Sequence, residues 1–286
     1  MIKIKSQAVC GGLLAVCLFA ALIAPAALAR TKKARGRHQR LNYSRKLRAN
    51  PSAWLATDSI NWSGYVSTRG PFDEISGTWK IPKVKHSSEI SADATWIGIG
   101  GVLSNDLIQS GTEADAGPRG KINYQAWIEL LPDPPFSIPV SVSAGDSVSV
   151  RIQKSGAKKW RVDFGNETTG RKYSTEEHYK SSLSSAEWIE EAPSTASGVM
   201  PMDKFGSVHF KNAYAERRGI RETLEQAGAL PVNLIDSLGE ILAQTSKLTK
   251  KGSSFAVRRS KITSGPQDMP LFFSAARRIG SIFKKR

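Results

Sequence analysis

The sequence predicts an all-β fold, a large antiparallel β-sandwich or barrel, and three observations carry that expectation. Apolar residues recur with a period of two in short runs, as they do on a half-buried strand. Clusters of Gly, Pro, Asp, Asn and Ser break these runs every 8–15 residues. Only residues 215–229 (AERRGIRETLEQAGA) have helical propensity, and glycine-punctuated turns count against a helix even there. A chain of 286 residues is long enough for such a fold to enclose a sizeable core.

The first element in chain order is an export signal. Lys3 and Lys5 give it a positive start, an apolar run follows from about Ala8 to Ile23, and Ala27-Leu28-Ala29 places small residues at a cleavage point after Ala29. The expected location is therefore outside the cytoplasm, extracellular or periplasmic. Both cysteines, Cys10 and Cys17, fall inside the leader, so the mature chain is expected to form no disulfide, thiolate metal site or cysteine nucleophile. The formal charge of +16 is unevenly spread. The leader carries +2, residues 30–50 carry +9 and residues 247–286 carry +10, which leaves residues 51–246 at −5. A mildly acidic body between basic tails argues against a basic binding face on the fold and against a specific nucleic-acid partner. The tails themselves suit electrostatic association with an anionic envelope.

Strands follow along the body. Ile75, Gly77, Trp79 and Ile81 alternate with polar or small residues. Val148, Val150 and Ile152 do so after the turn Ala144-Gly145-Asp146, and Trp160, Val162 and Phe164 after Lys158-Lys159. Val208 with Phe210, and Phe255 with Val257, repeat the pattern.

Familiar catalytic signatures are absent from the sequence. There is no H-E-x-x-H, and His38, His86, His178 and His209 fit no metal-ligand spacing, so neither a metal nor a cofactor is expected. No G-x-S-x-G elbow, phosphate-cradling loop or Asp-Thr-Gly occurs. His209, between Val208 and Phe210, reads as the outward face of a strand. What remains is a set of segments in which polar residues sit among aromatics. On strands, side chains two apart share a face. Gln109, Gly111 and Glu113 then line one face, Gln125, Trp127, Glu129 and Leu131 another, and Glu187, Ile189 and Glu191 a third. A sheet face offering carboxylates, an amide and an indole is a poor core and a good groove. Glu190, by the same alternation, points away from Glu187 and is expected to matter little.

NWSGY (61–65), WIGIGG (96–101), LIQSGTE (107–113), YQAWIELLP (124–132), SAGDSVSV (143–150) and AEWIEEAP (186–193) occur in the order seen in the eqolisins, the glutamic peptidases, and the chain resembles that family over residues 59–258. Residues 232–258 also look like the closing strands of its bacterial members. The resemblance implies a concanavalin-like sandwich of two large antiparallel sheets. It divides the chain into a leader (1–29), a basic N-terminal segment that is a candidate short propeptide (30–58), a peptidase domain (59–258) and a basic tail (259–286). It further implies a secreted, monomeric acid endopeptidase acting on proteins or peptides, with Gln109 and Glu187 as the catalytic pair. Trp62, Trp96, Trp127, Glu129, Glu191 and Glu113 are carried over as substrate-binding positions. Fungal members carry Asp where this chain has Gly100, so one cleft carboxylate is missing here.

The chemistry fits those residue types. Peptide hydrolysis without metal or covalent nucleophile needs a base for water, an acid for the departing amine and a donor for the oxyanion. Glu187 would take the water proton and later deliver it, and the Gln109 NH₂ would donate to the oxyanion while its carbonyl holds the water. The rival reading is a lectin-like module whose Trp-lined groove stacks sugars.

Overall fold

The computed structural model describes residues 58–260 apart from 87, 118–119 and 196–197; the leader, nearly all of the basic N-terminal segment and the C-terminal tail lie outside the described residues. Among the described residues the secondary structure is strand throughout. In chain order these are β1 (Asp58–Ser59), β2 (Trp62–Ser67), β3 (Glu74–Lys80), β4 (Ser91–Gly100), β5 (Leu107–Ala116), β6 (Ile122–Leu130), β7 (Phe136–Ser137), β8 (Ser147–Gly156) and β9 (Lys159–Asn166). There follow β10 (Arg171–His178), β11 (Ala186–Glu191), β12 (Ser194–Thr195), β13 (Gly198–Val199), β14 (Ser207–Arg217), β15 (Ile220–Thr223), β16 (Leu230–Ile235), β17 (Ile241–Thr245) and β18 (Phe255–Arg259).

Hydrogen bonding runs along one path, β10-β9-β8-β3-β14-β18-β17-β16-β2-β11-β4-β5-β6-β7, with antiparallel pairs throughout and a single parallel pair, β1 with β16, beside it. The path doubles over, so that the stretch from β10 to β17 forms a back layer and the stretch from β16 to β7 a front layer. Between them lies a continuous core in which Ile75, Trp79, Val148, Val150, Val162, Phe164 and Phe210 of the back meet Ile97, Ile99, Ile108, Ile128 and Trp188 of the front. Two indoles pin the layers together: Trp79 Nε1 donates to Thr112 Oγ1 at 3.0 Å, and Trp188 Nε1 to the Ser76 carbonyl at 2.9 Å. This is the antiparallel sandwich expected of the sequence, and the apolar residues of its period-two runs are buried.

Residues 215–229 hold no helix, in keeping with their glycine-punctuated turns. They complete β14, turn at Arg218-Gly219 and return as β15, with Arg217 opposite Ile220. Both turn residues have positive φ, 55° and 76°, the backbone of a two-residue hairpin loop whose twist matches the flanking strands. One expectation is corrected: the fold carries a basic face. His209 and Lys211 on β14, Arg258 on β18, and Lys247 and Lys251 between β17 and β18 line an outer groove of about 600 Å³ that, among the described residues, no carboxylate borders. Residues 247–258 belong to the sandwich, with Arg258 exposed on β18 and Lys247 and Lys251 exposed on the connection that leads into it.

Close backbone approach explains a glycine in the front layer. A Cβ at Gly111 on β5 would lie 2.2 Å from the Thr95 carbonyl oxygen and 2.6 Å from Trp96 Cβ. Gly111→Ala is expected to destabilise the protein by ~2–4 kcal/mol. Thermal unfolding in acid buffer would show this as a fall in melting temperature of roughly 5–15 °C.

Candidate active site

Strand register sets one row across the outer face of the front layer. Glu187 on β11 lies opposite Gly98 on β4, Gly98 opposite Gln109 on β5, and Gln109 opposite Glu129 on β6. Opposed residues share a face, so all four project the same way. With strands about 4.8 Å apart, the Glu187 and Gln109 backbones stand about 10 Å from each other, and only the Gly98 hydrogen lies between them. A Cβ there would come 3.1 Å from Gln109 Cβ and 3.0 Å from the Ile108 carbonyl oxygen. The glycine keeps a gap into which a carboxyl from one side and an amide from the other can reach.

The next two rows support the first. Ile189, Trp96, Gly111 and Trp127 form one, and Trp62, Glu191, Ala94, Glu113 and Gln125 the other. Trp62 packs edge-on against Trp96 with ring centroids 5.1 Å apart. Glu191 holds this pair in place, accepting from Trp96 Nε1 at 2.8 Å and from Asn61 Nδ2 at 3.2 Å. Glu113 accepts from Gln125 Nε2 at 3.0 Å. The structure thus brings Gln109, Glu187, Trp62, Trp96, Trp127, Glu129, Glu191 and Glu113 onto a single face.

Burial on that face is deeper than an open groove would give. Glu187, Gln109 and Trp96 have no exposed surface, and Trp62 and Trp127 keep 2 % and 5 %. Sugar stacking calls for exposed indoles, so the lectin-like reading loses its platform. Gln109 Nε2 donates to Glu129 Oε2 at 2.5 Å, which fixes the amide and leaves its second N–H for another acceptor. Among the described residues, Gln109 Oε1, both Glu187 carboxyl oxygens and the Trp62 and Trp127 indole nitrogens are buried without a well-formed hydrogen bond. Buried polar atoms are rarely left so, and these lie on one face of the front layer. Burial pushes the Glu187 carboxyl well above the ordinary range; the Ser185 hydroxyl offsets part of this and the Asp106 charge adds to it. Glu113 is likewise raised to about 7, by burial and by its neighbour Asp115.

Asp106 occupies the neighbourhood of the residue that the resemblance marks as changed. Gly100 has φ 99°, and a Cβ on it would lie 2.5 Å from the Asp106 carbonyl oxygen and 2.9 Å from Asp106 Oδ2. A carboxylate is therefore present beside position 100, supplied by residue 106.

The opposite face of β11 carries Glu190. Alternation does turn it away from Glu187, but into the core, where it has no exposed surface and accepts from Thr95 Oγ1 at 2.6 Å. Asp93 and Asp203 are buried beside it, and Ser91 Oγ donates to Asp203 Oδ1. Burial raises all three carboxyls. For Asp93 the charges of Glu190 and Asp203 raise it further; Glu190, helped by hydrogen bonds from Asp93 and Thr95, sits at about 7; Asp203 is relieved by Ser91, Asp93 and Arg259. Asp93, Asp203, Asp106 and Gly98 escaped the sequence reading. Asp93 left one signal: in SADATWIGIG it shares the alternation of Ile97 and Ile99, an acid at a core-facing position. Among the described residues no group of His, Cys, Asp or Glu has the geometry to hold a metal ion.

Comparison with known proteins bears on this site. The Peptidase A4 family model matches residues 60–258. Aspergillopepsin-2 of Aspergillus niger is 26 % identical over 213 residues, 66 % of this chain and 74 % of that protein. Scytalidopepsin B of Scytalidium lignicola is 29 % identical over 134 residues, 45 % of this chain and 50 % of that protein. Among solved structures, scytalido-glutamic peptidase with a transition-state analogue inhibitor superposes with a TM-score of 0.60 at 22 % identity, covering 71 % of this chain and 99 % of that one. Aspergilloglutamic peptidase from Aspergillus niger gives 0.53 at 25 % identity, covering 59 % and 99 %.

Carboxyls raised in the folded state bind protons that the unfolded chain releases, so their contribution to stability is full below the ordinary carboxyl range and is lost as pH climbs through the raised values. The melting temperature is expected to be highest below about pH 4 and to fall as pH rises through about 7. Glu190→Gln should make that fall shallower. Glu190→Ala, which leaves a cavity and strips Thr95 of its acceptor, should cost ~2–4 kcal/mol in acid. A melting temperature that rises between about pH 4 and 7 would contradict this assignment.

Proposed function

We propose, for a chain that belongs to the Peptidase A4 family and is a glutamic-type endopeptidase, that Glu187 and Gln109 hydrolyse peptide bonds of protein substrates in acid, without metal or covalent intermediate. The observation that carries this reading is the row Glu187–Gly98–Gln109–Glu129, with the Glu187 oxygens and Gln109 Oε1 left, among the described residues, without a well-formed hydrogen bond.

Burial gives Glu187 its proton in acid, and a neutral carboxyl offers an acceptor oxygen and a donor O–H together. Water attacks the substrate carbonyl carbon, its proton passes to the acceptor oxygen of Glu187, and the Glu187 O–H proton passes to the carbonyl oxygen. The C–N bond of the tetrahedral intermediate then breaks as Glu187 delivers a proton to the amine and recovers one from a hydroxyl. The free Gln109 N–H donates to the oxygen on which negative charge develops, and its carbonyl orients the water. Glu129 keeps the amide in register for both tasks. Trp62, Trp96, Trp127, Glu191 and Glu113 complete the walls that seat the peptide.

The same reading extends to the whole chain. The leader directs export with cleavage near Ala29, residues 30–58 cover or tether the acidic face until removed, and the basic tails associate with an anionic envelope. The peptidase acts as a monomer.

Glu187→Gln keeps shape but shuttles no proton, so turnover should fall to near background in a folded protein. Gln109→Ala should lose at least about 10²–10³ in kcat. Activity on a protein substrate should peak in acid, resist chelators and serine and cysteine reagents, and vanish as pH rises past the range in which Glu187 keeps its proton. A maximum at neutral or alkaline pH, with nothing left below about pH 5, would overturn the mechanism.

A further inference from the structure

One phenol is built into the hydrogen-bond ladder of the front layer. Tyr179 follows β10, and its own N–H donates to the Lys158 carbonyl of the β8–β9 turn at 2.9 Å, which fixes its backbone to the back layer. Its half-buried side chain packs against the core and reaches the front layer. There its oxygen accepts from the Leu107 N–H at 2.7 Å, and its O–H donates to the Leu131 carbonyl at 2.8 Å. Leu107 and Leu131 continue the register that sets Gln109 opposite Glu129 and Ile108 opposite Leu130. Two residues in such a pair ordinarily exchange two direct bonds. Here one is direct, from the Leu131 N–H to the Leu107 carbonyl at 3.0 Å, and the phenol bridges the other. Two bonds in series span about 4.5–5 Å against about 3 Å for one, so the outer end of the β5–β6 ladder is held open by roughly 2 Å.

This clamp bears on the catalytic pair through Leu107. By alternation Leu107 shares the face of Gln109, and Leu131 that of Glu129. A Cβ on Gly98 would come 2.8 Å from Leu107 Cδ1, nearer than the 3.1 Å to Gln109 Cβ. The Leu107 side chain therefore forms one wall of the gap across which Glu187 and Gln109 face each other. Burial raises the Tyr179 phenol far above its ordinary range; the bond from the Leu107 N–H relieves part of this, and the charges of Asp106, Glu129 and Asp133 add to it. The O–H that the Leu131 carbonyl accepts thus keeps its proton throughout the acid range.

We propose that Tyr179 is a positioning residue for the hydrolysis: by bridging Leu107 and Leu131 it holds Leu107 at the Gly98 gap and keeps the Gln109–Glu129 pair aligned on Glu187. The proposal rests on the peptidase reading above and adds to it a residue that acts through Gln109. Without the phenol oxygen, the Leu107 N–H and the Leu131 carbonyl are left unpaired or bond directly. Direct bonding draws Leu107 toward Leu131 and carries the Gln109 amide with it. A misplacement of about 1 Å near a reacting group costs about 10²-fold in rate.

The test uses the full chain and a peptide that the wild type cleaves in acid, assayed well below the melting temperature of every variant. Tyr179→Phe should lower kcat by roughly 10–100-fold and leave KM within about twofold, because alignment is lost and substrate contact is not. In a Gln109→Ala background the same substitution should cost less than about twofold, since the group it aligns is gone. Tyr65→Phe is the control. The Tyr65 O–H also donates to a backbone carbonyl, that of Ser246 at 3.0 Å, so its loss should lower the melting temperature to a similar extent and leave kcat unchanged. A wild type that cleaves no peptide in acid would sink the peptidase reading itself. Three results would overturn the positioning role alone: a folded Tyr179→Phe with wild-type kcat, a loss just as large in the Gln109→Ala background, or a Tyr179→Phe chain that fails to fold where Tyr65→Phe folds.

Discussion

Everything at the candidate site depends on one register. Because β11, β4, β5 and β6 pair without a bulge, residues 187, 98, 109 and 129 fall into a single row. A slip of one residue in any of these strands would send its member to the other face. The row needs a residue with no side chain in its second place, and Gly98 supplies it. The glycines at 64 and 111 serve the same layer differently, admitting neighbouring backbone where a Cβ would come 2.0 Å from the Trp188 carbonyl oxygen and 2.2 Å from that of Thr95. The core beneath, pinned by Trp79 and Trp188, holds the strands that hold the row.

Strand β11 uses both of its faces for carboxyls, and acid suits both. Toward the site, Glu187 gains the proton it works with. Toward the core, Glu190 accepts from Thr95 and shares a hydrogen bond with Asp93, and a bond between two carboxyls holds only while one of them keeps its proton. Raising the pH takes protons from the chemistry and from the packing that supports it, so loss of activity and loss of the fold have a common cause. Asp106 is the counterpoint, a carboxylate whose surroundings favour the charge.

How much of this the sequence disclosed follows from where each signal is stored. The alternation of Ile75 with Trp79, and of Val148 with Ile152, is local, and the sandwich was legible from it. Strand β10 was not, because as an edge strand it exposes much of both faces and shows no apolar rhythm. The shared faces of Gln109 with Glu113 and of Glu187 with Glu191 also follow from alternation. Their alignment opposite Gly98 does not, since register is settled by pairing between distant segments. Gln109 and Glu187 became candidates through resemblance to a family. The Asp93–Glu190–Asp203 cluster stayed hidden because an acid on a strand reads as solvent-facing, whereas β11 is buried on both sides. The basic groove stayed hidden because Lys247, Lys251 and Arg258 are adjacent to a basic tail in sequence but belong to the sandwich in space.

The gap at Gly98 is the feature on which the chemistry turns, and it can be closed with one methyl group. Gly98 has an ordinary backbone conformation, so Gly98→Ala meets Leu107, Ile108 and Gln109 without requiring a left-handed residue. Unfolding of this variant in acid should remain cooperative, while turnover on a protein substrate falls by at least about 10², the cost of displacing one preorganised group. A folded Gly98→Ala enzyme that turns over like the wild type would show that Glu187 and Gln109 do not work across that gap.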